Sequence, residues 1–338
     1  MKDQFLVIGL GSMGKRRIRN LIALGFENVV GHDVRQDRCN EASAKYSIET
    51  FVDINLAFTS NEVKAFIISV PPDQHCGYMN LSIEKKIPAF IEASVVDTNF
   101  DELIELSIKS NVLLAPSCTL HFHPAIKKIS EIVNKSELGK ISNFLYHSGQ
   151  YLPDWHSYEK VSDYYVSKKE TGGGREIVPF ELTWITSLLG FPQRVLGLNK
   201  KTIEIEGAET IDDTYNLLLD YGDFIFNLSV DVVSRFATRR LVINGDKKQL
   251  TWNWEDDFIR LYDPKKEEWE QIGYETISAE DGYNKNITEQ MYIEEMDAFV
   301  QAISNQSDFP NSVEKDHKVL KILYAAEKSD LENTIQFL

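Results

Sequence analysis

The chain has 338 residues, of which 43% are hydrophobic and 11% aromatic, and its formal net charge at pH 7 is −16. This composition predicts a globular protein of two domains, and the negative charge argues against binding to nucleic acid or to an anionic membrane. No apolar run approaches the ~18 residues of a membrane span, no signal segment precedes the first predicted strand, and the three cysteines lack metal-type spacing, so a cytoplasmic protein without a metal site is expected.

The first predicted element is a strand at residues 5–8, followed at once by a glycine-rich turn and by a helix that ends near Gly25. Strand, glycine turn and helix form the context in which the G-x-G-x-x-G pattern indicates a dinucleotide site. The three glycines permit a tight turn, close approach of a pyrophosphate, and close packing of helix on strand. The predicted cofactor contacts of this turn are Gly9, Gly11, Ser12, Met13 and Gly14.

The second predicted strand, residues 28–32, ends at Asp33, where an acidic residue would meet a ribose hydroxyl. A carboxylate accepts hydrogen bonds from the 2′-OH and repels a 2′-phosphate, so NAD is favoured over NADP. Arg35 either offsets that repulsion or stacks on the adenine, which keeps NADP as the alternative. Four early basic residues of the first helix face either bound phosphates or solvent; they are Lys15, Arg16, Arg17 and Arg19.

Strands and helices continue to alternate up to residue 120, which predicts a doubly wound parallel sheet, an NAD(P)-binding Rossmann domain over residues 1–120. Residues 121–338 follow a different pattern. Alternating strands joined by hairpin-like turns predict a mostly antiparallel, open-faced sheet, and two amphipathic helices close the chain. The predicted strands of this second domain include residues 141–148, 215–219, 224–232, 241–243 and 250–254.

With these elements in place, the chain resembles the Gfo/Idh/MocA family of nicotinamide-dependent sugar and polyol oxidoreductases. The resemblance covers the glycine turn, the segment Val70-Pro71-Pro72-Asp73-Gln74-His75, the open sheet and the closing helices with their Pro310-Asn311-Ser312 entry. In that family the segment after the fourth strand lies along the nicotinamide. The resemblance therefore implies further cofactor contacts at Ser69, Val70, Pro71, Pro72 and His75. A surface histidine at the start of a helix is the alternative for His75.

Two departures from the family pattern bear on catalysis. Many members carry Glu-Lys-Pro after the fifth strand, where the lysine contacts substrate and nicotinamide, whereas this chain has Glu92-Ala93-Ser94. Glu92 and Ala93 remain cofactor candidates. Members also often carry Asp-x-x-x-His just after a glycine cluster, with the histidine as general base. Here Gly172-Gly173-Gly174 is followed by no histidine, and Glu181 falls in or beside that position. The family's lysine and histidine roles therefore cannot be transferred.

Three residues are candidates for the acid–base group: Glu181, Glu176 and His156. A carboxylate can act as a base when burial or a like charge raises its pKa toward the working pH. Glu176 and Glu181 are five residues apart in an apolar stretch, and His156 lies in an aromatic loop before the glycines. A structural salt bridge with Arg175 is the alternative for the two glutamates.

The substrate candidates are Tyr151, Trp155, Tyr158, Lys169 and Arg175. Aromatic side chains offer flat apolar faces with polar edges to a sugar ring, and the basic residues suit a phosphorylated, acidic or nucleotide-linked sugar. A packed surface loop and solvated charges are the alternatives.

Two functions are compatible with this sequence. The first is an oxidoreductase that transfers a hydride between a nicotinamide cofactor and a carbinol carbon of a sugar or sugar derivative. The second is an NAD-binding sensor of the same fold without turnover, as in the galactose-regulon co-repressors. We favour the enzyme, because the replaced residues form a compact polar set. Family members commonly pair through the exposed faces of their second-domain sheets, which implies a homodimer or homotetramer through the sheet containing residues 224–230.

Overall fold

The computed structural model describes residues 4–59, 62–156, 159–276 and 288–338. They divide into two compact units. The first unit contains the described residues up to Thr119 together with Tyr292–His317, and the second contains those of Leu120–Met291 together with Lys318–Leu338. The chain therefore leaves the first unit and later returns to it for one segment. Among the described residues, no helix combines the length and hydrophobicity that crossing a membrane requires.

The first unit is built from alternating strands and helices: β1 (Gln4–Ile8), α1 (Ser12–Ala23), β2 (Val29–His32), α2 (Gln36–Tyr46), β3 (Glu49–Phe51), β4 (Val63–Ile68), α3 (His75–Lys85), β5 (Ala89–Ile91), α4 (Phe100–Ser110) and β6 (Leu114–Pro116). Its sheet has six strands in the order β3-β2-β1-β4-β5-β6, and all neighbours run parallel. The order reverses beside β1, as in a doubly wound sheet. The predicted Rossmann fold is confirmed.

The second unit contains the described elements α5 (Pro124–Asn134), β7 (Ile141–Tyr151), α6 (Gly174–Leu189), β8 (Arg194–Lys200), β9 (Thr214–Asp220), β10 (Ile225–Asp231), β11 (Val233–Gly245), β12 (Gln249–Asn253), β13 (Phe258–Asp263), β14 (Glu268–Gly273) and β15 (Gln336–Phe337). Its sheet has nine strands in the order β14-β13-β12-β11-β7-β10-β9-β8-β15. β7 and β10 run parallel and the other neighbours antiparallel. The predicted mostly antiparallel sheet is confirmed.

The strands of this second sheet alternate between a buried and an exposed face. In β7, Phe144 and Tyr146 are buried, whereas Leu145 is exposed. Helix α6 packs on the buried face, where the indole of Trp184 lies edge-on to the Tyr146 ring with the centroids 5.4 Å apart. The opposite face presents exposed apolar side chains that include Leu145, Leu196, Leu198, Leu218 and Ile225.

Two helices close the chain, α7 (Glu289–Ile303) and α8 (Val313–Glu332). Met296 and Phe299 of α7 are fully buried in the core of the first unit, with Phe90 of β5. The rings of Phe90 and Phe299 lie 5.8 Å apart. The apolar stripe of α7 therefore completes the hydrophobic core of the Rossmann unit.

Candidate functional site

The glycine-rich turn brings the backbone very close to its surroundings. Gly9 has a φ of +90°, and a Cβ there would lie 2.6 Å from the carbonyl oxygen of Ser69. A Cβ on Gly14 would lie 1.8 Å from the carbonyl oxygen of Gly9. Any other residue would open the turn, because L side chains rarely adopt such a φ and real Cβ contacts are longer. The hydroxyl oxygen of Ser69 is buried and has no hydrogen-bond partner among the described residues. A narrow turn of backbone beside a hydroxyl group that can still form a hydrogen bond fits a dinucleotide.

The predicted cofactor residues are not all equally accessible. Gly9, Gly14, Asp33, Pro72 and His75 are buried, whereas partly exposed positions include Gly11, Ser12, Met13, Ser69, Val70, Pro71, Glu92 and Ala93. The partly exposed residues line the C-terminal ends of the parallel strands, where open α/β sheets bind their ligands.

Asp33 directly follows β2, and its carboxylate organises the turn. Oδ2 accepts a hydrogen bond from the backbone N–H of Leu10 at 2.8 Å, and Oδ1 accepts one from Arg35 N–H at 2.9 Å. The Arg35 side chain points to Asp37 and lowers the pKa of that carboxyl to about 2 through a side-chain hydrogen bond. A different arginine approaches Asp33: Nη1 of Arg38 lies 3.8 Å from Oδ2. The charge beside Asp33 thus comes from α2, which the sequence did not indicate.

Glu92 is engaged by a buried arginine of α1. Nε and Nη2 of Arg17 donate to its two carboxylate oxygens at 2.6 and 3.1 Å, and Nη2 also lies 2.8 Å from Glu295 of α7. Burial opposes the charge on Arg17, but the two glutamates outweigh it and raise the pKa of the guanidinium above its usual range. Arg17 is therefore buried and paired with two carboxylates, and it does not form part of a solvated basic face. Its partner in α7 lies too far along the sequence for local patterns to reveal it.

His75 is buried beneath the segment that follows β4. Its Nε2 lies 3.0 Å from the carbonyl oxygen of Val70, and its Nδ1 lies 3.0 Å from the hydroxyl of Ser94. Burial lowers the pKa of His75 to about 4. A neutral ring that donates through Nε2 and accepts at Nδ1 satisfies both partners. His75 thus holds the Val70 backbone in place, whereas a surface role does not fit its burial.

In the second unit, three glycines allow α6 to begin in a crowded place. A Cβ on Gly172 would lie 1.8 Å from the carbonyl oxygen of Val166, and one on Gly174 would lie 2.9 Å from the ring of Tyr215. Gly173 has a φ of +66°. The first turn of α6 can therefore lie directly against residues 165–167, which brings Tyr165 beside it.

Glu176 lies in that first turn. The hydroxyl of Tyr165 donates to its Oε1 at 2.7 Å, and its Oε2 is buried without a partner among the described residues. Burial raises the pKa of Glu176 to about 7, and the Tyr165 hydrogen bond only partly opposes that effect. A carboxyl group that titrates near neutral pH and keeps one oxygen unpaired is suited to proton transfer.

Glu181 lies one and a half turns further along α6 in a different environment. Its Oε1 accepts from Ser148 at 2.7 Å and from Nε of Arg239 at 3.0 Å, and its Oε2 accepts from Tyr146 at 2.8 Å and from Trp184 at 3.2 Å. The side chain is fully buried. With two donors on each oxygen, this carboxylate anchors α6 to β7 and β11. The two glutamates share none of these partners.

The predicted substrate cations separate as well. Nε of Arg175 lies 2.6 Å from Oε1 of Glu327 in α8, rather than beside Glu176 or Glu181. Lys169 is exposed. Arg175 thus joins two helices within the unit, so an anionic substrate would have to compete with Glu327 for it.

The aromatic loop after β7 is partly exposed. The ring of His156 stacks on Tyr164 with the centroids 4.7 Å apart, and its Nδ1 lies 3.5 Å from Glu159. Tyr151 carries the guanidinium of Arg235 over its ring at 3.8 Å. Tyr158 lies outside the described residues. No group of three or more His, Cys, Asp or Glu able to hold a metal ion occurs within the described ranges.

Comparison with known proteins agrees with this geometry. Residues 4–113 match the GFO_IDH_MocA model, described as an oxidoreductase family with an NAD-binding Rossmann fold. No curated protein matches the sequence.

Several solved structures share the fold over the whole chain. An oxidoreductase from Agrobacterium radiobacter in complex with NAD+, L-tartaric acid and magnesium is 11% identical with a TM-score of 0.85, covering 100% of this chain and 98% of that one. Levoglucosan dehydrogenase in complex with NADH is 13% identical with a TM-score of 0.85, covering 100% and 99%. A protein from Desulfitobacterium hafniense described as an NADPH-dependent oxidoreductase is 15% identical with a TM-score of 0.83, covering 100% and 98%.

The match of the Rossmann unit and the fold shared along the full chain confirm the resemblance drawn from the glycine turn. Residues 4–113 are thus similar to the NAD-binding Rossmann domain of the Gfo/Idh/MocA oxidoreductases, and the whole chain shares the fold of the solved structures.

Proposed function

We propose that the protein oxidises or reduces a sugar or sugar derivative at a carbinol carbon with NAD, and that Glu176 exchanges the proton. The observation that carries the proposal is Oε2 of Glu176, which is buried without a partner among the described residues, in a carboxyl group whose pKa is about 7. The fold shared with levoglucosan dehydrogenase supports a sugar-type substrate by analogy.

Oxidation of a carbinol removes a hydride from carbon and a proton from oxygen. The glycine turn and Asp33 would hold NAD, whose nicotinamide ring would supply the acceptor for that hydride. The ionised Glu176 takes the hydroxyl proton on Oε2, which leaves a carbonyl product and a neutral carboxyl group; reduction runs the same exchange backwards. Tyr165 continues to donate to Oε1 and keeps the carboxyl group oriented. Glu181 is less suited to this role, because donors already occupy both of its oxygens.

The test is to replace Glu176 with Gln and measure turnover. A panel of sugars, sugar phosphates and nucleotide sugars with NAD identifies a substrate of the wild type by absorbance of reduced nicotinamide. We expect Glu176→Gln to lower kcat by roughly 10²–10⁴, the range for loss of general-base catalysis, while the Kd for NADH stays unchanged. His156→Asn serves as the comparison for the second candidate base. Full turnover in Glu176→Gln would remove Glu176 from this role.

The cofactor proposal rests on Asp33. Its carboxylate repels a 2′-phosphate, although Arg38 lies 3.8 Å away and offsets part of its charge. We expect fluorescence titration to give a lower Kd for NADH than for NADPH. Asp33→Asn keeps an oxygen acceptor but removes the charge. It should reduce the ratio of the NADPH Kd to the NADH Kd by roughly tenfold, which corresponds to about 1.4 kcal/mol. Tighter binding of NADPH by the wild type would assign NADP instead.

The second hypothesis, an NAD-binding sensor without turnover, is suggested by the absence of the family's lysine and histidine. The NADH titration and the substrate panel test it as well. Tight NADH binding with no turnover on the whole panel would favour a regulatory protein over the enzyme.

A further inference from the structure

Strand β11 departs from its partner β7 at one place. Val233 pairs with Tyr151 and Thr238 pairs with Gly149, so residues 234–237 form a bulge opposite the single residue Gln150. Bulges at the end of a sheet often redirect a side chain toward a site. None of the residues in this bulge was a candidate from sequence.

The bulge is held at both ends. At its start, Oδ1 of Asp231 accepts the backbone N–H groups of Val233 at 3.1 Å and Ser234 at 2.8 Å. Gly149 leaves room for it, because a Cβ there would lie 2.3 Å from Oγ of Ser234. At its end, the indole N–H of Trp254 donates to the carbonyl oxygen of Ala237 at 2.7 Å. A segment fixed in this way presents its side chains in defined directions.

The bulge carries Arg235, which stacks on the ring of Tyr151. The guanidinium of Arg235 lies 3.8 Å from the centroid of the Tyr151 ring, and the side chain is exposed. Within the part of the chain that the structure describes, no carboxylate forms a salt bridge with Arg235, whereas Arg240 on the same strand lies 3.7 Å from Glu255. Stacking fixes the guanidinium plane without using its hydrogen-bond donors. Arg235 is therefore oriented, and no carboxylate of the described residues competes with an anion for its guanidinium.

The bulge lies close to the start of α6 through the backbone. Val232, next to the bulge, donates its N–H to the carbonyl oxygen of Asp213 at 2.9 Å. The neighbouring carbonyl of Asp212 accepts the N–H of Gly174 at 3.0 Å, two residues before Glu176. The segments that carry Arg235 and Glu176 are thus joined at the same end of the sheet.

We propose that Arg235, stacked on Tyr151, binds the anionic group of an acidic or phosphorylated sugar substrate. This inference rests on the proposed function, because it names the substrate class for the site that contains Glu176. The planar guanidinium donates two parallel hydrogen bonds to a carboxylate or a phosphate, and the Tyr151 ring contacts the apolar face of the sugar. The anion-binding role that was predicted for Lys169 and Arg175 is assigned to Arg235 instead.

The experiment is a binding titration with the full chain and saturating NADH, followed by tryptophan fluorescence. The probes are glucose 6-phosphate, glucuronate and glucose. We expect at least one anionic probe to bind about tenfold more tightly than glucose, as a charge-assisted hydrogen bond allows, and the two anionic probes distinguish phosphate from carboxylate. Arg235→Gln should abolish that preference and leave glucose affinity unchanged, whereas Arg235→Lys should retain part of it.

Arg240→Gln is the matched control, because it removes an exposed arginine from the same strand, and it should keep the wild-type preference. An unchanged preference in Arg235→Gln, or no preference in the wild type, would overturn the proposal. The titration requires no turnover. Its outcome is therefore separate from that of the Glu176→Gln experiment, which can fail while Arg235 still selects anions.

Discussion

Glu176 and Glu181 of α6 differ in the hydrogen bonds that their carboxyl groups accept. Among the described residues, Glu176 has one donor and a buried oxygen without a partner, whereas Glu181 has four donors on its two oxygens. The sequence placed both in one apolar stretch and could not separate them. Their partners, Tyr165 on one side and Tyr146, Ser148 and Arg239 on the other, are set by tertiary contacts.

The raised pKa of Glu176 has a measurable effect on stability. Its pKa is 4.5 in the unfolded chain and about 7 in the fold, so the unfolded chain loses this proton first as the pH rises. Stability therefore falls between those two values and levels off above the higher one. We expect Glu176→Gln to remove this loss and to stabilise the protein at pH 8 by up to about 3 kcal/mol. Urea unfolding of the wild type and the variant at pH 8 and pH 5 measures the difference, which should shrink to less than about 1 kcal/mol at pH 5. If the wild type and Glu176→Gln had equal free energies of unfolding at both pH values, the Glu176 carboxyl group would be exposed to water.

At the scale of elements, α6 is fastened to the sheet by one buried carboxylate. Replacing Glu181 with Gln removes the negative charge that faces Arg239, whose side chain is itself 5% exposed. Breaking a buried ion pair costs about 3–5 kcal/mol, so we expect Glu181→Gln to lower the free energy of unfolding by an amount in that range. Urea unfolding at pH 5 measures it, with Glu176→Gln as the control, which should change the free energy of unfolding by less than about 1 kcal/mol there. An unchanged midpoint would mean that β7 and β11 hold α6 without this carboxylate.

Elements whose signals are local in sequence were predicted well. The β1 strand, the glycine turn and α1 were found because strand, turn and helix lie within about 20 residues of one another. The surroundings of the α1 side chains were not predicted. Arg17 was assigned to solvent or phosphate, but it is buried against Glu92 and Glu295, and the second of these is far away in the chain. The bulge of β11 was missed because pairing register depends on the partner strand.

At the scale of the whole molecule, the second sheet has an exposed face with an apolar centre. Leu145, Leu196, Leu198 and Leu218 line a shallow groove on that face with Val242. Contiguous exposed apolar surface often marks an interface, and two such faces can pack as stacked sheets. We therefore expect a homodimer or a homotetramer through this face.

Sedimentation velocity at micromolar concentration tests the assembly. Leu218→Glu should convert the wild-type oligomer to monomer, because it places a charge in the apolar centre of the face. Leu331→Glu is the matched control, since Leu331 is exposed on α8 rather than on the sheet. A monomeric wild type would remove the prediction.

The return of residues 292–317 to the first unit also bears on synthesis. The Rossmann unit contains Arg17 from its first helix, yet Glu295, one of its two carboxylate partners, and the core residue Phe299 are translated long after the second unit has begun. Until those residues have been translated, Arg17 lacks one of its two carboxylate partners, and the core of the first unit lacks Phe299. A fragment that ends near residue 120 would lack both, so the first unit is complete only after residues 292–317 have emerged from the ribosome.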